Sequence, residues 1–195
     1  MKKIVLISAS LLCLSACSLF SNGLKNTPPS DFKVVLSVSG SNKETGLIEV
    51  VDKDVYINTY QNNNYNNSYF AHFDDGSYVY YHKDVLNNGD WESYVPTTAN
   101  SKNMTTLDAI SSFVGTISNV YADIFNVELA NYASSSGTAQ VINLDTTVYK
   151  VKNKTYWYYE GINIFLKIKD ESEQGSSCVV TDYQYYKHFD DSPNL

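Results

Sequence analysis

The residues with the clearest chemistry are Leu14-Ser15-Ala16-Cys17, which have the pattern of a lipobox. Lys2-Lys3 and an apolar run over Ile4–Leu14 come before Ser15, and that run is too short to span a bilayer, which needs about 20 residues. A positive start, an apolar run and small residues before the cut are typical of a signal peptide. The cysteine predicts cleavage before Cys17 and a thioether-linked lipid on its sulfur. The alternative is an ordinary secretory signal that contains a cysteine by chance.

Lipidation at Cys17 predicts where the chain is found. Two or more acyl chains, such as palmitate, hold a protein stably at a bilayer, so we expect an extracytoplasmic protein anchored by lipid to the bacterial cell membrane. Residues 1–16 are then the signal peptide. Residues 17–30 contain a glycine and a proline pair and are predicted to be the lipidated tether. A flexible chain of that length reaches about 20 Å.

No other group of residues predicts a catalytic or metal centre. His72 and His82 are on strands that we expect to pair, but the register puts them on opposite faces, where they cannot share a metal ion without a bulge. The sequence contains neither a G-x-S-x-G turn nor a phosphate-binding glycine loop. Cys178 is next to two valines in a strand-like run, which predicts a buried, inert thiol. We therefore expect no enzymatic activity, no cofactor and no metal.

Tyrosine is unusually abundant, with 17 in the chain. One interpretation is strand propensity, since aromatic residues favour strands. The other is a groove lined by rings with a polar tip, which suits an amphiphile or a glycan. Thirteen of these tyrosines form two groups along the chain: Tyr56, Tyr60, Tyr65, Tyr69, Tyr78, Tyr80 and Tyr81, then Tyr156, Tyr158, Tyr159, Tyr183, Tyr185 and Tyr186.

The chain is acidic, with a formal net charge of −7, and it contains no arginine. Both features argue against a nucleic-acid partner. After removal of the signal peptide, the length suits one domain with a real core. We expect that domain over residues 31–188, and a flexible acidic tail over residues 189–195.

Apolar residues alternate along most of this domain, which predicts half-buried strands. Two-residue turns and hairpin signals such as Asp-Gly then select the register, because a slip of one residue would move each apolar set to the other face. The predicted cross-strand pairs are Val50–Val55, Ile48–Ile57, Phe73–Tyr78, Ala71–Tyr80, Tyr69–His82, Trp157–Ile164 and Thr155–Leu166.

A helical stripe separates the two groups of strands. Its apolar residues are three or four positions apart, and Thr105 or Thr106 can cap the helix. We therefore expect an α+β fold: a strongly curved antiparallel sheet, or half-barrel, with one or two helices on its concave side. The residues of the stripe are Leu107, Ile110, Val114, Ile117 and Tyr121.

In this plan, residues 31–188 resemble the LolA/LolB-like superfamily, which includes lipid-carrying lipoproteins. The resemblance rests on the anchored start with short strands through Tyr78–Tyr81, the helix at about Leu107–Tyr121, and the late hairpin Tyr156–Lys167. That hairpin contains the Leu-Lys pair of the family as Leu166-Lys167. The resemblance implies a half-barrel whose concave face is covered by helix and accepts acyl chains.

We therefore expect a non-enzymatic, membrane-anchored lipoprotein that binds lipid or lipoprotein acyl chains in a sheet–helix cavity. One alternative is a surface module that binds protein or glycan through exposed tyrosines. Another is that the apolar residues form a filled core rather than a cavity. The candidates to line the cavity are Phe32, Val34, Leu36, Ile48, Val50, Val55, Ile57, Leu107, Ile110, Val114, Ile117, Trp157, Ile164 and Leu166.

Overall fold

The computed structural model describes residues 23–25, 27, 30–40, 43–61, 65–85, 89–96, 104–113, 120–172 and 175–195. Within these ranges the chain forms eleven strands and three short helical segments. The strands are β1 Phe32–Ser39, β2 Glu44–Val51, β3 Asp54–Gln61, β4 Tyr65–Asp74, β5 Ser77–Asp84, β6 Glu92–Tyr94, β7 Ser135–Val141, β8 Leu144–Val151, β9 Lys154–Tyr159, β10 Ile164–Asp170 and β11 Ser177–Tyr185. The helical segments are α1 Thr106–Ser112, α2 Val120–Asp123 and a 3₁₀ helix Val127–Tyr132.

All eleven strands belong to one antiparallel sheet, in the order β6-β5-β4-β3-β2-β1-β11-β10-β9-β8-β7. The first and last strands, β1 and β11, pair with each other inside the sheet. The sheet is therefore two meanders joined along that pair. β6 and β7 are its opposite edges, so the chain between them, residues 95–134, must cross the sheet to connect them.

The predicted α+β half-barrel is wrong. The sheet is neither closed nor strongly curled, and the helical segments are short, so the fold is all-β. Alternation of apolar residues specifies strands and the face that they bury, but it does not specify how far a sheet curls. The predicted helical stripe is also longer than α1, which ends at Ser112 with Phe113 as its C-cap.

The crossing segment covers one face of the sheet, which we call the core face. The backbone N–H of Met104 donates to the Gly76 carbonyl at 3.4 Å, and that of Phe165 donates to the Ile124 carbonyl at 2.8 Å. These hydrogen bonds attach the segment to both meanders. The fully buried residues that it adds to the core include Ala109, Ile110, Phe113, Tyr121, Ile124 and Val127.

The start of α1 is fixed by a capping box. The Thr105 hydroxyl accepts the backbone N–H of Asp108 at 3.2 Å, and the Asp108 carboxylate accepts the backbone N–H of Thr105 at 2.6 Å. This satisfies two amide groups that the first helical turn leaves without a partner. The prediction that Thr105 or Thr106 caps the helix is confirmed, with Thr105 as the cap.

The registers predicted for the first two hairpins are confirmed. Val50 faces Val55 across β2 and β3, and Tyr69 faces His82 across β4 and β5. His72 lies on the outer face, opposite the core face, and its Nδ1 is 2.9 Å from the Asp54 carboxylate. The two histidines are thus on opposite faces, as predicted.

The register predicted for the late hairpin is wrong. Trp157 faces Lys167 instead of Ile164, and Thr155 faces Lys169 instead of Leu166. The turn spans four residues, 160–163, and the pairing is irregular between Phe165 and Lys167. The Lys167 ammonium lies 4.7 Å from the centre of the Trp157 ring, so this ring is in contact with a lysine and does not line a cavity under the helix.

The acidic tail, which the sequence predicts to be flexible, lies against the outer face. Phe189 packs edge-on to Phe70, with ring centres 4.9 Å apart, and Pro193 is buried. Asp190 and Asp191 pair with lysines of β1 and β5. In the described ranges, no helix combines the length and the apolar composition needed to cross a bilayer.

Candidate ligand-binding cleft

The candidates to line a cavity lie in the packed core. Leu107 and Trp157 are partly buried, whereas the other described candidates have no exposed surface. Val114 and Ile117, like the lipidation candidate Cys17, lie outside the described residues. The fully buried candidates are Phe32, Val34, Leu36, Ile48, Val50, Val55, Ile57, Ile110, Ile164 and Leu166.

A cleft of about 550 Å³ lies elsewhere, between the helical segments and the turn from β8 to β9. Small-molecule sites typically measure about 300–1,000 Å³. The apolar or aromatic residues that line the cleft are Leu129, Tyr132, Val151 and Tyr156. The charged or polar residues that line it are Asp123, Lys152, Asn153 and Lys154.

The apolar wall is formed by the 3₁₀ helix on one side and by strands β8 and β9 on the other. Leu129 and Tyr132 belong to the 3₁₀ helix, whose Val127 and Ala130 are buried in the core. Tyr132 is 84% exposed, so its ring is available to a ligand. Tyr156 is only 3% exposed, and its ring lies 4.8 Å from that of Phe165, which fixes it in the core.

An ion pair joins the first residue of β9 to the last residue of α2. Lys154 Nζ is 3.2 Å from the Asp123 carboxylate, and both side chains are partly exposed. Burial acts to lower the pKa of Lys154, but the Asp123 carboxylate raises it above its ordinary value. Burial raises the pKa of the Tyr156 hydroxyl, so this group stays protonated and can donate a hydrogen bond. The cleft therefore offers donors beside an apolar wall.

The turn that borders the cleft is held by its neighbours. Lys152 has φ of 54°, a left-handed conformation that suits a tight two-residue turn between strands. The Asn153 side-chain amide donates to the Asp170 carboxylate at 2.8 Å, and the Asn153 carbonyl accepts the Glu171 backbone N–H at 2.8 Å. These bonds hold Asn153 in place, with Lys152 and Lys154 on either side of it in the chain.

The segment that leads from the predicted anchor lies beside this cleft. The Asn131 side chain accepts the Leu24 backbone N–H at 2.7 Å and donates to the Leu24 carbonyl at 2.6 Å. Asn163 donates to the carbonyls of Lys25 and Thr27, at 3.0 Å each. Asn131 is the residue before Tyr132, so the tether is held next to a residue that lines the cleft.

Most of the described tyrosines do not form a surface for ligands. Three have more than a third of their surface exposed, and they lie on different elements: Tyr60 on β3, Tyr132 on the 3₁₀ helix and Tyr185 on β11. Strand propensity and core packing account for the rest. The buried ones are Tyr56, Tyr69, Tyr78, Tyr80, Tyr121, Tyr156 and Tyr158.

Across the ranges that the structure describes, no three His, Cys, Asp or Glu side chains form a group that could hold a metal ion. Cys178 is 2% exposed, and burial raises its pKa to about 12, so the predicted buried thiol is confirmed.

Sequence reasoning did not identify this cleft. The sequence of Asp123–Tyr132 has no clear helical or strand periodicity, and nothing in it indicates that it lies beside a turn some 20 residues later. The nearest signal was the short spacing of lysines at Lys150, Lys152 and Lys154, which is typical of a strand end and indicates no ligand by itself.

Comparisons with known proteins provide no functional assignment. No family model matches the sequence, and no curated protein matches it either. Among solved structures, the chain is similar to PNGF-II, with 9% sequence identity and a TM-score of 0.37. The match covers 82% of this chain and 29% of the PNGF-II chain, so this chain spans less than a third of that structure's length.

Proposed function

We propose that this chain is a membrane-anchored, non-enzymatic lipoprotein that binds an anionic amphiphile, such as a lipid with an acyl chain, in the cleft between the 3₁₀ helix and the turn from β8 to β9. The single observation that supports it is the composition of that cleft. A wall of Leu129, Tyr132 and Val151 stands beside Lys152 and Lys154 within about 550 Å³. An apolar wall with a few polar groups to fix orientation is typical of a ligand site.

The cleft replaces the cavity that the sequence predicts under the helix. The core face is filled by the chain's own side chains, so an acyl chain could enter it only by displacing packed residues. A packed core loses about 1–3 kcal/mol when it is overfilled. The cleft is already open, and Tyr132 at its border is mostly exposed.

The anchor favours a ligand that comes from the membrane. Gly23 is six positions after Cys17, and an extended chain of six residues spans at most about 21 Å. Leu24 is then hydrogen bonded to Asn131, beside the cleft. A lipid on Cys17 would therefore hold the cleft within a short distance of the bilayer, where amphiphiles are concentrated.

The two lysines favour an anionic head group. Lys154 already pairs with Asp123, so its charge is partly neutralised, whereas Lys152 is exposed at the turn. An acyl chain along Tyr132 and Leu129 would bring a carboxylate or phosphate to the lysine side of the cleft. The buried residues that the structure describes include no lysine that could bind such a head group in the packed core.

The experiment measures displacement of a fluorescent fatty acid from the purified mature protein, together with native mass spectrometry of protein prepared without detergent. We expect bound lipid in the mass spectrum and saturable binding of the probe. Tyr132→Ala should weaken binding by about tenfold, the effect of one lost aromatic contact. Tyr185→Ala is the matched control, since Tyr185 is also exposed, at 66%, but does not line the cleft.

Charge gives a second test. Lys152→Glu should weaken binding of the fatty acid but leave a neutral amphiphile of equal chain length unaffected. Equal binding of the probe by the wild type, Tyr132→Ala and Lys152→Glu would show that the cleft is not the site and would refute the proposal.

A further inference from the structure

The outer face holds a second site, which the chain's own C-terminal tail occupies. A row of neighbouring residues crosses four strands on this face, because Lys33 faces Glu49, Glu49 faces Tyr56, and Tyr56 faces Phe70. Trp91 adds a ring at the far end, 6.1 Å from the Phe70 ring. We call this row, with Lys83, the outer groove.

The tail fills the outer groove with an aromatic ring and two carboxylates. Phe189 packs edge-on against Phe70. Asp190 pairs with Lys33 at 2.5 Å, and Asp191 pairs with Lys83 at 2.8 Å. The Trp91 indole N–H is 3.4 Å from the other Asp191 oxygen. The Phe189 ring and the carboxylates of Asp190 and Asp191 thus each contact a different residue of the outer groove.

One contact shows that the outer groove suits a polypeptide. Glu49 has no exposed side-chain surface, and its Oε2 accepts the backbone N–H of Asp190 at 2.8 Å. Its Oε1 is 3.1 Å from Lys33 Nζ. A buried carboxylate needs donors, and a main-chain amide supplies one. Glu49 would repel the phosphate of a lipid or nucleic acid, so an anion without an N–H fits poorly.

The tail also borders a cleft on this side of the molecule. A space of about 430 Å³ is lined by Phe189 and by residues of the β2–β3 turn and of β4. Displacement of Phe189 would enlarge this space and expose the Phe70 ring, which is 1% exposed with the tail in place. The tail is held by one ring, one buried proline and a few polar contacts, so its release would expose only this part of the sheet.

We propose that the outer groove is a recognition site for an extended segment of a partner protein that carries an aromatic residue followed by two acidic residues, and that the tail occupies it in competition with that partner. The tail shows this pattern of contacts. The Phe189 ring packs on Phe70, and the Asp190 carboxylate pairs with Lys33. The Asp190 backbone amide donates to Glu49, and the Asp191 carboxylate pairs with Lys83. This inference does not depend on the lipid cleft, which is formed by other residues.

The test uses the mature full-length chain and a fluorescein-labelled peptide with the sequence of residues 187–195. In the wild type, the tethered tail competes with the peptide. The variant Phe189→Ala/Asp191→Asn weakens the tail, and we expect it to bind the peptide about tenfold more tightly than the wild type, by fluorescence anisotropy. A peptide with both aspartates changed to asparagine should bind about tenfold more weakly, because it loses two charge-assisted contacts.

Lys83→Met in the weakened-tail background should abolish most of the gain, whereas Lys169→Met should not. Lys169 pairs with Glu171 in solvent, so it is the matched control for loss of a lysine. Peptide binding should also raise the melting temperature of the weakened-tail variant, because a ligand of the folded state stabilises it. That measurement keeps the test decisive if the variant is less stable.

Three results would overturn the proposal. The weakened-tail variant could show neither peptide binding nor a rise in melting temperature. It could bind the asparagine peptide as well as the aspartate peptide. The wild type could form a dimer by light scattering that Phe189→Ala/Asp191→Asn dissociates, which would identify a second copy of this chain, rather than a partner protein, as the source of the segment.

Discussion

The ring of Tyr121 lies against the backbone of Gly46, in the space that a side chain at position 46 would occupy. Tyr121 comes from α2 and Gly46 from β2, so their contact fixes how closely the crossing segment approaches the core face. The Tyr121 hydroxyl donates to the Glu44 carboxylate at 3.0 Å. A glycine at this point lets a large aromatic residue reach a buried carboxylate.

Gly46→Ala should destabilise the protein by about 1–3 kcal/mol, because the added methyl group overlaps the Tyr121 ring. Tyr121→Leu removes the overlapping atoms, so Gly46→Ala in that background should cost less than about 0.5 kcal/mol. Urea denaturation of the four members of this double-mutant cycle measures the difference. Additive effects would show that the two residues do not constrain each other.

Glu44 predicts a pH dependence. Burial raises its pKa above the ordinary value near 4.5, and the hydrogen bond from Tyr121 offsets this only in part. The folded state therefore binds this proton more tightly than the unfolded state, so the contribution of Glu44 to the free energy of unfolding falls as the pH rises through and above its ordinary pKa. Relative to the wild type, Glu44→Gln should therefore gain stability as the pH rises above the ordinary pKa of about 4.5.

Other carboxyl groups require that this effect be measured as a difference between variants. Burial also raises the pKa of Glu49, whereas hydrogen bonds lower that of Asp170 and the Lys33 contact lowers that of Asp190. Glu171→Gln is the control, because this side chain is half exposed on its loop. An equal change in stability for Glu44→Gln and Glu171→Gln across the pH range would contradict the prediction.

The sequence was sufficient to pair the strands of the first two hairpins, but not those of the late hairpin, and it did not show how the sheet is arranged. Val50 and Val55 could be paired because a two-residue turn and burial of one face leave a single register. Trp157 could not be placed, since the four-residue turn depends on Asn163 in a left-handed conformation, which its residue type permits but does not require. The pairing of β1 with β11 joins residues about 150 positions apart, and no local pattern reports it.

The two candidate sites were missed for the same reason. Phe189-Asp190-Asp191 has the composition of a solvated tail, and its partners Lys33 and Lys83 are 157 and 108 positions away. Their charges are visible in the sequence, but their proximity exists only after the sheet has formed. The same holds for Asp123 and Lys154, which are 31 positions apart in the chain.

Cys178 should be unreactive until the protein unfolds. It is buried, and a pKa of about 12 against an ordinary value of 9.0 lowers the thiolate fraction by about a thousandfold. In a soluble chain that begins at Ser18 it is the sole thiol, so alkylation at mildly alkaline pH reports on it directly. We expect alkylation at least about a hundredfold slower in buffer than in urea. Ser136→Cys, at an exposed position of β7, supplies a reactive reference, and Cys178 reacting as fast as that reference would contradict the prediction.

Cys17→Ala should release the protein from the membrane fraction. The substitution removes the predicted acyl chains, each of which contributes about 0.8 kcal/mol per buried methylene. Cell fractionation and metabolic labelling with palmitate measure the two consequences, loss of retention and loss of label. Cys178→Ala is the control and should retain both. Membrane retention of Cys17→Ala equal to that of the wild type would refute the lipobox.

The hydrogen bonds from Asn163 predict that the tether is protected from trypsin. The carbonyl of Lys25, which belongs to the peptide bond that trypsin would cut, accepts the Asn163 side-chain amide at 3.0 Å, and the Tyr158 hydroxyl orients that side chain by donating to its Oδ1 at 2.9 Å. Asn163→Gly removes the amide but retains a residue that tolerates the φ of 54° at this position. The lost bonds to Lys25 and Thr27 are worth about 1 kcal/mol each, so cleavage after Lys25 should accelerate about tenfold or more. Tyr158→Phe should give a smaller acceleration, because the amide remains but is less well oriented.

Cleavage after Lys169 is the internal control and should not change. A rate at Lys25 that is the same in the wild type and Asn163→Gly would show that the tether beside the cleft is held by other contacts, and it would remove the tether's position as support for a ligand drawn from the membrane.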